Sequence, residues 1–144
     1  MENSKSLQLN QQLCFPLYAI AKEITGLYRP FLDELDITYS QYLVLMVLWE
    51  QDGQTVNQIG EKLYLDSGTL TPLLKRLENK KFISRKRKKE DERVVEIFLD
   101  EAGKQLKTKA CEIPSKIQEK LNLSQNELIE LKTDIQKILN RILP

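Results

Sequence analysis

Apolar residues recur along this chain at helical spacing in some stretches and at every second position in another, and that contrast predicts the elements. Leu13, Leu17, Ile20, Ile24, Leu27 and Phe31 are separated by steps of 4, 3, 4, 3 and 4, which is one stripe of an amphipathic helix. Pro16 falls near its first turn, where a missing N–H costs little, and Pro30 is expected to close it. Thr38-Tyr39-Ser40-Gln41 has the form of a capping box and opens a second helix reaching about Glu50. Its sequence YLVLMVLWE is apolar on nearly every side, so it is expected at the buried centre of the domain. Asp52-Gly53 breaks it.

Thr55 then starts a short helix, VNQIGEKLYL, and Asp66 or Ser67 caps another running through Leu73, Leu74 and Leu77. Pro72 lies early in that helix and leaves its first residue open. Two short helices joined by a tight turn, the second opening on small polar residues, form a helix-turn-helix pattern. Phe82-Ile83-Ser84-Arg85 and residues 94–99 read as strands, the latter apolar at 95, 97 and 99, with KRKKEDER as the charged turn between them. A helix-turn-helix followed by a hairpin is a winged helix.

Asp100 is expected to cap a long helix to about Leu121, kinked where Pro114 frees the Ala110 carbonyl. Ser124-Gln125-Asn126-Glu127 is a further capping box. It opens a last helix carrying Leu128, Leu131, Ile135, Ile138 and Ile142 at steps of 3, 4, 3 and 4. That seam is more than a small domain needs for its own core. The first and the last two helices are therefore read as a dimerisation layer, with intramolecular packing as the alternative. At 144 residues the chain is expected to be one domain, mainly α with a small β-hairpin wing. Residues 37–99 would form the winged helix-turn-helix, and residues 1–36 and 100–144 the dimerisation helices.

Charge sharpens this picture. The chain totals +1, yet Lys75 to Arg93 holds ten Lys or Arg against four acids, so this stretch carries +6 and the remainder −5. Such asymmetry is an electrostatic footprint for phosphate, with a merely solvated hairpin as the bland reading.

Several chemistries drop out. There is no histidine and there are two cysteines, Cys14 and Cys111, far apart in sequence. Dedicated zinc binding and histidine-dependent catalysis are thereby unsupported. No phosphate-cradling glycine loop is present, no cofactor is implied and nothing reads as an enzyme. The N-terminal MENSKSLQLNQQ lacks the apolar core of a signal peptide, and no apolar run approaches the ~20 residues that span a bilayer. The expectation is a cytoplasmic protein with no membrane partner.

Taken together, QLCFPLYA at 12–19, ITYSQYLVLMVLWE at 37–50, LYLDSGTLTPLLKRLE at 63–78 and RKRKKEDERVVEIFLDEAG at 85–103 resemble the MarR family of winged-helix repressors. The likeness is nearest to its organic-hydroperoxide-resistance branch. The third stretch and Asp91-Glu92-Arg93 carry the family likeness, and the early cysteine with a tyrosine four residues later points to the peroxide-sensing branch. The resemblance implies a homodimer on a pseudo-palindromic operator in double-stranded DNA. On this chain Ser67, Gly68, Thr69, Thr71 and Arg76 become recognition-helix contacts and Arg93 the minor-groove probe, oriented by Asp91, with Arg85 and Lys88 as further wing contacts. Independently, a helix N-terminus with small polar residues approaches phosphates and base edges closely. An arginine at a hairpin tip suits a narrow, strongly negative minor groove.

The same resemblance implies that Cys14 is a peroxide-sensing thiol. Tyr18 shares its helix face, and Tyr28 and Tyr39 match tyrosines that reach the thiol from the partner subunit. Phenolic donors would stabilise the thiolate that attacks a peroxide. Cys111 would make this the two-cysteine type, in which oxidised Cys14 pairs with Cys111 of the other subunit. A passive, buried cysteine is the bland reading of either position. Two other readings remain: a repressor released by a small phenolic or hydrophobic ligand bound among Tyr18, Tyr28, Tyr39 and Trp49, and a thiol peroxidase, disfavoured because no arginine lies near Cys14 in sequence.

Overall fold

The computed structural model describes residues 2–144, which fall into two compact units divided after Cys111. The first opens on 3-10 turns at Glu2–Leu7 and Leu9–Gln11, followed by α1 (Cys14–Glu34), α2 (Tyr39–Glu50), β1 (Gln54–Thr55), α3 (Val56–Leu63) and α4 (Ser67–Asn79). β2 (Ile83–Arg87), β3 (Val95–Leu99) and α5 (Glu101–Ala110) complete it. The second holds α6 (Ile113–Leu121) and α7 (Gln125–Ile142). Among the described residues no helix is long and apolar enough to cross a membrane.

The core of the first unit forms around α2, as its all-round apolar sequence requires. Val44, Leu45 and Leu48 are buried, and so are Ile59 of α3, Leu70, Leu74 and Leu77 of α4, Ile83 of β2 and Ile97 of β3. Thr38 caps α2 as expected: its hydroxyl accepts the Gln41 N–H at 3.3 Å, and Gln41 Oε1 accepts the Thr38 N–H at 3.0 Å. Gly53, at φ 71°, turns the chain out of α2. The strands form one antiparallel sheet of order β1-β3-β2. β2 and β3 pair from Ile83↔Leu99 to Arg87↔Val95, and β1 adds the pairs Gln54↔Ile97 and Thr55↔Glu96. β1 escaped the pattern reading, because two residues cannot display an alternation. Buried Gln54 anchors it, with Nε2 donating to the Val47 carbonyl at 2.8 Å and the Gln51 carbonyl at 2.6 Å.

Three expectations need correction. Pro30 does not close α1, which continues to Glu34. A proline removes one N–H donor, and buried Leu32 holds the following turn in the helix. The helix ends instead at Leu35 and Asp36, the latter left-handed at φ 57°. The long helix to Leu121 is broken rather than kinked: α5 stops at Ala110 with Cys111 as its C-cap, and α6 begins at Ile113. Pro114 lies in the first turn of α6, where its missing N–H is no loss, so the local minimum is a new helix start. Asp100 is the N-cap residue of α5, but its side chain makes no capping bond; its N–H goes to the Phe82 carbonyl at 2.9 Å.

In the second unit Ser124 and Glu127 form the anticipated capping box of α7. No α7 side chain is buried: Leu131, Ile135, Ile138 and Ile142 of the apolar seam are all exposed. α1 likewise buries only Leu32, and its stripe residues Leu13 and Ile20 are exposed.

Candidate nucleic-acid interface and thiol sites

Local chemistry sets the helix-turn-helix. Thr55 caps α3 through a reciprocal pair with Gln58, at 3.1 and 2.9 Å. Tyr64, left-handed at φ 57°, ends α3 while the Leu65 N–H bonds to the Gly60 carbonyl at 2.9 Å. Asp66 then caps α4, with Oδ1 accepting the Thr69 N–H at 2.7 Å. That bond holds the Asp66 carboxyl below the usual carboxylate range. α4 therefore begins at Ser67 and carries Pro72 inside it. Leu70, Leu73, Leu74 and Leu77 face the core, which leaves Ser67, Gly68, Thr69, Thr71, Lys75 and Arg76 exposed.

The wing is closed by backbone bonds from Lys88 N–H to the Val94 carbonyl at 2.9 Å and from Val94 N–H to the Asp91 carbonyl at 3.0 Å. Asp91 accepts the Arg93 backbone N–H at 3.1 Å, and its carboxylate also takes Arg93 Nε at 3.1 Å and Nη2 at 3.3 Å. These bonds pull the Asp91 carboxyl down from its ordinary range. Arg85 is differently placed. Its Nε and Nη2 each donate to Glu78 at 3.0 Å, which lowers the Glu78 carboxyl and raises the guanidinium. Its fork is taken up in tying β2 to the last turn of α4.

A cleft of about 570 Å³ brings Ser67 and Thr71 of α4 together with Arg85 and Arg93 of the wing. Gly68, Thr69, Arg76, Lys88 and Asp91 do not line it. The cleft also contains Asn57 and Arg87, which sequence reasoning missed. The signal for Arg87 is its place two residues from Arg85 on β2, since alternate strand residues share a face. Its Nη1 donates to the Glu92 carbonyl at 2.8 Å. Asn57 stands in the first turn of α3 and carried no signal of its own.

Both thiols are free and exposed. Cys14 is the first residue of α1, and Cys111 Sγ donates to the Thr108 carbonyl at 2.9 Å. Tyr28 and Tyr39 are in ring contact, centroids 4.9 Å apart. Tyr42, not anticipated, joins them at 5.8 and 6.2 Å and continues to Trp49 at 6.3 Å. Tyr18 is exposed and takes part in none of these contacts. Burial raises the phenols of Tyr28 and Tyr39. Burial and the two neighbouring phenols push Tyr42 up to about 12. All three therefore remain O–H donors at neutral pH.

A short helix, a turn, an exposed polar helix and a basic hairpin together define a winged helix-turn-helix regulator. The family model "Transcriptional regulator SarA/Rot" matches residues 26–110. The organic hydroperoxide resistance transcriptional regulator of Bacillus subtilis is 50% identical over 143 residues, 99% of this chain and 97% of that protein. Among solved structures, reduced AbfR bound to DNA is 36% identical, covers 99% of each chain and superposes with a TM-score of 0.81. A disulfide-formed AbfR is also 36% identical, covering 96% of this chain and 97% of its own, at a TM-score of 0.68; AbfR comes from Staphylococcus epidermidis. The chain belongs to the SarA/Rot family of winged-helix transcriptional regulators. It is a homologue of an organic hydroperoxide resistance regulator, in a family of regulators rather than enzymes.

Proposed function

We propose that this protein is a homodimeric repressor that holds a pseudo-palindromic DNA operator when reduced and releases it when an organic hydroperoxide oxidises Cys14. The observation that carries the DNA half is the cleft joining Ser67 and Thr71 to Arg93. It sets small polar groups of one helix beside a cation at a hairpin tip, the arrangement for reading a major groove while probing the adjacent minor groove. The exposed apolar residues Leu13 and Ile20 on the α1 stripe and Leu131, Ile135, Ile138 and Ile142 on α7 support the homodimer, since a second copy is the partner that a two-fold operator requires. The whole chain then acts as one domain, with residues 37–99 on DNA and the flanking helices in the dimer layer.

The redox half rests on the likeness to the B. subtilis regulator and on the exposure of both thiols. The Cys14 thiolate attacks one peroxide oxygen, the O–O bond breaks, and the alkoxide leaves as alcohol after taking a proton. Sulfur loses two electrons and becomes sulfenic acid. The Cys111 thiolate of the other subunit then attacks that sulfur, forming the disulfide and releasing water. Tyr28 and Tyr39, kept as donors, would hydrogen-bond the thiolate of a partner subunit, and Tyr18 lies one helical turn from Cys14 in its own chain. A disulfide needs Cα atoms within about 7 Å, so closing it would displace α1 against α5 and change the spacing of the two recognition helices. The clustered rings of Tyr28, Tyr39, Tyr42 and Trp49 favour one other reading, release by a small phenolic or hydrophobic ligand. Fluorescence anisotropy on an operator selected from a random duplex library, before and after cumene hydroperoxide, tests the proposal. Release by oxidant supports it, and release only by added phenols supports the alternative.

A further inference from the structure

Lys80 is the C-cap of α4, and its side chain leaves the recognition helix for the turn between α1 and α2. There Nζ donates to the Asp36 carbonyl at 2.5 Å and to Gln41 Oε1 at 3.3 Å, and it lies 3.6 Å from the Asp36 carboxylate. Gln41 is 3% exposed, and the same Oε1 closes the α2 capping box by accepting the Thr38 N–H. Asp36 is left-handed, a conformation L side chains rarely adopt. Tyr39, between Asp36 and Gln41 in the sequence, is the first residue of α2, and its ring lies against Tyr28 of α1. One ammonium thus joins the end of the recognition helix to the turn between α1 and α2, the two helices that carry Tyr28 and Tyr39.

We propose that Lys80 is a positioning residue through which movement of the Tyr28–Tyr39 pair alters DNA affinity. It acts through Asp36 and Gln41 rather than by touching base or thiol. N–H···O hydrogen bonds mostly span about 2.7–3.2 Å, and the Lys80–Gln41 bond already stands at 3.3 Å. A small displacement of the α1–α2 turn therefore forces a choice: Lys80 carries the end of α4 with it, or lets that end go. Lys81, the next residue, supplies the internal control. It bears the same charge, is exposed, and makes no side-chain bond to that turn.

The test is a double-mutant cycle on operator affinity of the reduced dimer, using Tyr39→Leu, Lys80→Met and the pair. Tyr28→Leu takes the place of Tyr39→Leu if the latter does not fold. Coupling predicts that the double variant departs from the product of the single effects by about fivefold or more. The matched cycle with Lys81→Met should multiply within about twofold. Independent effects of Lys80→Met, or equal coupling by Lys81→Met, overturn the inference. A second arm rests on the redox reading: the ratio of oxidised to reduced Kd should shrink at least about fivefold in Lys80→Met, measured at a temperature where thermal melts show the reduced dimer fully folded. An unchanged ratio in a protein whose wild type does respond overturns the inference. A wild type that ignores hydroperoxide defeats the redox reading instead, and the cycle alone then decides the role of Lys80.

Discussion

Asp91 holds the Arg93 guanidinium through Nε at 3.1 Å and Nη2 at 3.3 Å, while the Arg93 side chain remains 91% exposed. An exposed ion pair adds little to stability. Its consequence is directional: with Nε–H and one Nη2–H held by Asp91, the three remaining N–H groups are aimed from a hairpin tip with part of their conformational freedom already lost.

Arg93→Ala is therefore expected to weaken operator binding by about 1–3 kcal/mol and to leave the melting temperature and dimerisation nearly unchanged. Asp91→Asn, which keeps the cation but loosens its aim, should have a smaller effect in the same direction. Anisotropy titrations beside thermal melts check both. If Arg93→Ala binds normally while Lys88→Ala abolishes binding, the wing contact has been assigned to the wrong residue.

Glu78 gives a pH dependence. Its carboxyl is lowered by the Arg85 hydrogen bonds from an ordinary value of 4.5. A folded-state value below the unfolded one means that the stabilisation is complete above the unfolded value and is lost as pH falls through the folded one. The melting-temperature advantage of wild type over Glu78→Gln should be small but positive at neutral pH, and should vanish on acidification below 4.5. An advantage that grows in acid contradicts the pairing.

The exposed seam of α7 makes a separate claim. Ile135→Glu places a charge among Leu131, Ile138 and Ile142, all exposed in the single chain, so the monomer should tolerate it. A dimer closed on that seam should not, because an unpaired buried charge is strongly destabilising. Sedimentation should show a loss of dimer, and operator binding should fall with it. A stable dimer in this variant would place the interface elsewhere.

Much of the scaffold was legible because its determinants are local. The capping pairs Thr38–Gln41 and Ser124–Glu127 lie three residues apart, and YLVLMVLWE declares its own burial. The pairing of Arg85 with Glu78 and the reach of Lys80 to Asp36 were not legible, because each joins different elements and depends on how these pack. Pro30 and Pro114 misled in opposite senses. One was carried inside a helix by a buried neighbour, and the other started a helix where only a kink was expected. At the candidate interface the residue types were readable, but the sharing of one cleft by Ser67, Thr71, Arg85 and Arg93, with Asn57 and Arg87 beside them, required the fold.

Hydroperoxide should convert the wild-type dimer to a species of two chains' mass on a non-reducing gel, reversible by dithiothreitol. Cys111→Ser should lose the crosslink and overoxidise at Cys14. A crosslink that persists would mean Cys14 pairs with itself across the two-fold axis. A one-chain product lighter by about two hydrogens would place the bond within a subunit.

The central claim is that one thiol governs DNA occupancy, and operator titration of wild type and Cys14→Ser, each reduced and hydroperoxide-treated, tests it most directly. Wild type should bind when reduced and release after treatment, while Cys14→Ser should bind equally well in both states. Release of DNA by treated Cys14→Ser at the wild-type rate would contradict the account.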